Sequence, residues 1–189
     1  MFQEFSAYVN LGIEHILDIN GFDHVLFLIV LAIPFTIKNW KTVIVLATAF
    51  TIGHSLTLFL SGMDLIRIKS EPVEILIAIS ILLTAIFNIL KAGKAQNNIS
   101  RYSIALFFGL IHGLGFSNFF KSILGNDAIL FPLFSFNIGV ELAQVIIVIV
   151  ILIINKLIID ILNFSQNYWI RFVSIAIGLW SIQLIFDRI

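Results

Sequence analysis

Four histidines stand in a chain that has no cysteine. Two of them, His15 and His24, occur in Gly12-Ile-Glu-His-Ile-Leu-Asp-Ile-Asn-Gly-Phe-Asp-His24, at the mouth of an apolar run. Glu14, Asp18 and Asp23 share that stretch. His54 and His112 lie inside other apolar runs, and so does Glu141. Imidazole and carboxylate without thiolate suit Ni, Co, Zn, Fe(II) or Mn. Only Met1 and Met63 offer thioether sulfur, which disfavours Cu(I). An ionisable side chain at mid-membrane costs at least ~2.5 kcal/mol on insertion scales, so several in one small chain call for a shared use. Carboxylates in a low-dielectric site have raised pKa values and could exchange a proton for a metal ion.

The elements that must position these groups are membrane helices. The chain of 189 residues is 60% hydrophobic and 12% charged, with a mean hydropathy of +1.08. A soluble domain carries roughly twice that charged fraction. The expected fold is an all-α polytopic membrane bundle, residues 1–189 forming a single integral membrane domain. A formal net charge of zero gives no sign of a nucleic-acid partner. Without cysteine, disulfides and iron–sulfur clusters are excluded. No basic leader or cleavage-like site opens the chain, so no signal peptide is expected. No Gly-x-x-x-x-Gly-Lys-Ser/Thr motif points to an ATPase.

Residues 3–19 are too polar to span alone and read as an amphipathic or re-entrant helix, broken at Asn20-Gly21. Six spans follow. The first starts near Phe22 and ends before Lys38, short against the ~20 residues a span needs. The others run over about 42–62, from after Pro72 to about 92, 103–120, 129–155 with an interfacial extension toward Asn163, and 169–187. A polar loop covers 91–101. Lys38, Lys41, Lys91, Lys94, Arg101, Lys156 and Arg171 fall on one side; Arg67, Lys69, Lys121 and Arg188 fall on the other. That bias puts both termini outside the cytoplasm. Asp23, His24, His54, Glu74, His112, Asn137 and Glu141 are then all expected between the midplane and the outer surface.

Local patterns sharpen the set. Asn137, Glu141 and Gln144 fall within an arc of roughly 60° on one helix; Asn137 and Gln144 would equally serve as interhelical hydrogen-bond glue. Thr51, His54 and Ser55 share a face. Gly109 and Gly113 flank His112, with Gly115 nearby, so a neighbouring helix or an ion could approach closely. Glu74 also fits a plain first-turn acid after Pro72, and Asp23 a helix-start acid. His15 could lie in the interface, short of the bundle. Glu14 and Asp18 are expected to be solvated, attracting cations at most. Phe50-x-x-x-His54 and Phe108-x-x-x-His112 echo each other on two spans of the same direction.

Six motifs in order resemble the HupE/UreJ family of membrane proteins associated with hydrogenase and urease genes. They are Gly-Ile-Glu-His-Ile-Leu (12–17), Phe-Asp-His-Val-Leu-Phe (22–27), Ala-Phe-Thr-Ile-Gly-His-Ser-Leu-Thr-Leu (49–58), Glu-Pro-Val-Glu with Ile-Ala-Ile-Ser (71–80), Phe-Gly-Leu-Ile-His-Gly-Leu-Gly-Phe (108–116) and Phe-Asn-Ile-Gly-Val-Glu (136–141). The resemblance implies a bacterial inner-membrane protein that takes up Ni(II) or Co(II) for metalloenzyme assembly. It carries the family's first histidine onto His15, its Asp-His pair onto Asp23 and His24, its His-Gly onto His112 and its later acid onto Glu141. Seven residues separate His15 from Asp23, more than in nickel-permease members, which places the chain nearer the UreJ-like branch.

Two classes of function follow. A permease would collect a divalent metal (Ni, Co or Zn) at Glu14, Asp18 and Asp23, bind it at His24, His54, His112 and Glu141, and release it inward. The inner half of that path lacks obvious ligands; Thr84 and Asn88 are the only polar candidates on the third span. Alternatively, a membrane-embedded zinc hydrolase would activate water for attack on a lipid-like substrate. The expected partners are the lipid bilayer and the metal ion; self-association into a homo-oligomer stays open.

Overall fold

A computed structural model describes residues 2–18, 21–93, 98–124 and 129–189, with the backbone only at 98. Asn20 and Lys94, used in the sequence reading, lie outside the described residues. The helices are α1 (Phe2–Leu17), α2 (Asp23–Ala32), α3 (Trp40–Gly62), α4 (Ser70–Lys91), α5 (Asn98–Leu124), α6 (Leu130–Lys156) and α7 (Gln166–Asp187). A 3-10 turn (Ile37–Asn39) leads into α3, and a π turn (Leu157–Ile161) extends α6. No strand occurs among the described residues. This is what a bilayer demands, since a helix satisfies its own backbone hydrogen bonds where no water can.

Helices α3 to α7 are each long and apolar enough to cross a membrane. α2 is not. Its 10 residues rise about 15 Å, half of a ~30 Å hydrocarbon core. Five long helices and one short one therefore stand where six spans were expected.

Pro34 explains where α2 stops. It has no N–H, so the carbonyl of Val30 loses its i+4 partner. Asn88 of α4 replaces it, donating from Nδ2 to Val30 O at 2.6 Å. Past the break, Asn155 of α6 donates to Ile33 O (3.3 Å) and Phe35 O (2.8 Å), and Gln166 of α7 to Pro34 O at 3.1 Å. Trp169 Nε1 in turn donates to Asn155 Oδ1. Asn88 thus replaces the hydrogen bond that the proline removes, and Asn155 and Gln166 satisfy the carbonyls left free where the helix ends.

Close helix crossings set the rest. A Cβ on Gly53 would strike the Leu106 carbonyl of α5, and one on Gly109 the Phe50 carbonyl of α3. A Cβ on Gly113 would meet the His54 carbonyl. Phe50 facing Gly109 and His54 facing Gly113 make α3 and α5 parallel neighbours. The same device joins α1 to α6, antiparallel, where Gly12 lies against Phe136 O and Gly139 against Val9 O. Small residues let backbones touch, which is how membrane helices associate without a hydrophobic drive between them.

Gly109→Ala should destabilise the bundle by about 1–3 kcal/mol through overpacking, lowering the thermal transition in detergent. Gly178→Ala is the control, because its Cβ would meet only side-chain carbons at 3.7 Å. Equal melting of the two variants would mean that the α3–α5 contact can open without loss.

Candidate metal centre

Three helices deliver three imidazoles to one point. His15 comes from the last turn of α1, His24 from the first turn of α2 and His54 from the middle of α3. One ring nitrogen from each lies within 4.8 Å of the others. His15 Nε2 and His54 Nε2 are 3.4 Å apart. Two nitrogens bound at ~2.0–2.1 Å to one tetrahedral ion would sit roughly 3.3–3.4 Å apart, so this pair has the spacing of co-ligands. His24 Nε2 is buried and has no partner among the described residues.

His112 of α5 lies beside this group without belonging to the set of nitrogens within 4.8 Å of one another, its ring centroid 5.1 Å from that of His24. Ser80 fixes its tautomer. Ser80 Oγ donates its one hydrogen to Ile77 O at 2.7 Å, so at 3.2 Å from His112 Nε2 it must accept. The proton is then on Nε2, and Nδ1 keeps its lone pair. That Nδ1 is buried without a partner among the described residues. A metal-ligating histidine ordinarily has its other nitrogen held in just this way.

Phenylalanines close the cluster. Phe116 stacks on His15 with centroids 3.8 Å apart, and Phe50 lies 4.9 Å from His112. Phe27 and Phe136 are fully buried beside them. The four imidazoles therefore sit in a largely apolar shell. On one side the shell opens into a cleft of about 310 Å3, whose walls include Asp18, Asp23, Glu74 and Arg188.

The model of the family described as HupE / UreJ protein matches residues 1–188. The chain belongs to the HupE/UreJ family. No curated protein and no solved structure matches it.

The HupE/UreJ motifs separate into two layers. His15 reaches the histidine cluster instead of stopping in the interface, because the Gly12–Gly139 crossing carries α1 into the bundle. Glu141 does not join the cluster through a hydrogen bond. It is held by α3, with Thr48 Oγ1 2.5 Å from Oε1 and Thr51 Oγ1 2.9 Å from Oε2. Those threonines precede His54 by one and two turns, roughly 4.5–9 Å along the axis. Thr51 has one hydrogen for Glu141, Gln144 Oε1 (2.9 Å) and Ala47 O (3.2 Å). Turning the Gln144 amide over resolves the shortage. Its Nε2, otherwise without a partner, then donates to Thr51, and Thr51 donates to Glu141. Asn137, on the same α6 face, is half-buried, with Oδ1 unpartnered among the described residues. Glu74 is exposed at the cleft wall, and Glu14 and Asp18 are also exposed.

Arg188 went unrecognised in the sequence, where it counted only as an orientation charge. It closes the α7 end of the cleft, donating from NH2 to Asp23 Oδ2 at 2.9 Å and from NH1 to Glu74 O at 2.8 Å. Asp23 Oδ1 stays buried and unpartnered. A divalent ion approaching Asp23 must compete with this tethered cation. Arg188→Gln should therefore tighten Ni(II) binding about tenfold, since a charged hydrogen bond is worth roughly 1.5 kcal/mol. Isothermal titration in detergent reads this directly. Weaker binding in the variant would show that Arg188 orders Asp23 and does not compete for it.

Proposed function

We propose that the protein is a permease for a divalent transition-metal ion, with Ni(II) and Co(II) as the first candidates. The carrying observation is the convergence of His15, His24 and His54 from three separate helices, beside an acid-walled cleft that His15, His24 and His112 line. Asp18, Asp23 and Glu74 draw the cation in. The imidazoles of His15, His24 and His54 replace its water, with His112 and Asp23 Oδ1 within the same site. The layer of Thr51, Glu141, Gln144 and Thr48 then takes it toward the basic end. Neutral imidazoles and few charges suit a site that must release what it binds. In this reading the protein sits in the bacterial inner membrane with the cleft outside.

A second reading has its own observation. A cavity of about 440 Å3, walled by Leu11, Ile13, Leu17, Phe116 and Phe119 together with the carboxylates of Glu14 and Asp18, reaches His15. It would admit an acyl chain to a metal-bound water, as a zinc hydrolase acting on lipid requires.

The test is uptake of Ni, Co and Zn into metal-free proteoliposomes. His54→Ala should lose both equilibrium binding and uptake, by about tenfold or more. Glu141→Gln should keep binding and lose uptake, because it belongs to the second layer. Normal uptake by both variants would refute the site. Tight copurifying zinc with no transport would favour the hydrolase instead.

A further inference from the structure

The first helix lies at bilayer depth with a polar face turned away from the bundle. Its contact with α6 is antiparallel, Gly12 lying against Phe136 O and Gly139 against Val9 O. α6 is long and apolar enough to cross the membrane, and its 27 residues are centred on Ala143. Val9, level with Gly139, is then about 6 Å from that centre at 1.5 Å per residue, and Gln3 about 3 Å beyond it. Gln3, Ser6 and Asn10 all fall within about 8 Å of the centre, well inside a ~30 Å hydrocarbon core.

At 3.6 residues per turn Gln3, Ser6, Asn10 and Glu14 share an arc of roughly 80°. All four are exposed, and so is Ala7 at the border of the arc, while Gly12 and Ile16 on the α6 side are buried. No side-chain hydrogen bond joins Gln3, Ser6 or Asn10 to another described residue. Hydrocarbon offers an amide or a hydroxyl no partner. Helices that face lipid expose apolar side chains, as α6 does with Leu142 and Ile146 and α7 with Phe172 and Leu179. α1 does the reverse, so its outward face is built to meet protein.

We propose that this face of α1 is the contact of a two-fold dimer, its occupant the same face of a second copy of this chain. Two copies inserted with one orientation are related by an axis along the membrane normal, which lays the two α1 helices side by side in parallel. Each residue is then level with its own counterpart. Carboxamides at Asn10 and Gln3 carry both donors and acceptors, so each pairs with itself. Such bonds between helices hold membrane proteins together, and small residues such as Ser6 and Ala7 let the backbones approach. Phe2 and Leu17, both exposed, add apolar contact along one border. A partner selected by charge would need an unpaired charge at this depth. Glu4, the one acid in the first half of α1, already has an interaction within the chain. Glu14 and Asp18, which would repel their counterparts, stand at the outer end beside the cleft and the lateral cavity. The dimer rests on the placing of α1 and not on the metal reading.

The chain has no cysteine, so single cysteines report the contact. Under a mild thiol oxidant, in membranes of cells expressing the full chain, Ala7→Cys should give a disulfide-linked dimer. Phe172→Cys, on the exposed side of α7, should not. Adding Gln3→Leu and Asn10→Leu to the Ala7→Cys protein should reduce the dimer about tenfold, the effect of losing interhelical amide bonds. Leucine suits lipid, so this variant should keep the helicity of its parent by circular dichroism. No dimer from Ala7→Cys, as much dimer from Phe172→Cys, or undiminished cross-linking in the leucine variant overturns the proposal. A product whose mass is not twice that of the chain also overturns it, because the face then meets a different protein.

Discussion

Inside a bilayer, a carbonyl that loses its amide has no water to turn to. Pro34 creates that situation at the end of α2, and three helices answer it. Asn88, Asn155 and Gln166 each reach the freed backbone by a side-chain amide. A buried carbonyl without a partner would lose about 1–3 kcal/mol, so these contacts hold α4, α6 and α7 to one place. The result is a helix that stops short at one end and begins deep at the other. His24, in the first turn of α2, is buried and lines the cleft. The polar groups at the basic end and the histidines at the opposite end are two consequences of one shortened element.

Glycine crossings do the complementary work. Gly53, Gly109 and Gly113 bring α3 against α5, and with them His54 toward His112. Gly12 and Gly139 bring α1 against α6, and with it His15. In each case the backbone contact lies within one turn of the imidazole it positions. Rotamer freedom along a histidine is small, so the ligand geometry is set mainly by how closely the helices can approach. Phenylalanines then fill the space that the glycines leave.

The sequence carried the helices well, because apolar length and the Asn, Gly and Pro interruptions mark their ends. α3, α4, α6 and α7 begin and end within a few residues of the expected bounds; α5 is longer at both ends. His24, His54 and His112 were placed at a common depth by topology alone. What topology cannot supply is the level of a side chain along its helix to within one or two turns. Glu141 and His54 were expected together, yet the face of α6 that meets α3 presents Glu141 to Thr48 and Thr51. The place of His15 depended on whether α1 enters the bundle, and only the matched glycines on α1 and α6 signalled it. The α4 stripe of Ser80, Thr84 and Asn88 was partly visible, but its use was not. Ser80 sets a tautomer and Asn88 repairs a backbone; both roles need a partner from a distant part of the chain.

The four imidazoles come from four different helices, spread from residue 15 to residue 112. An ion held by them would act as a removable rivet through α1, α2, α3 and α5. Ligand binding free energy and folding free energy become the same quantity when the ligands are so dispersed. Loading would then tighten a bundle that its glycine crossings already assemble, and an empty chain would be the looser of its two forms.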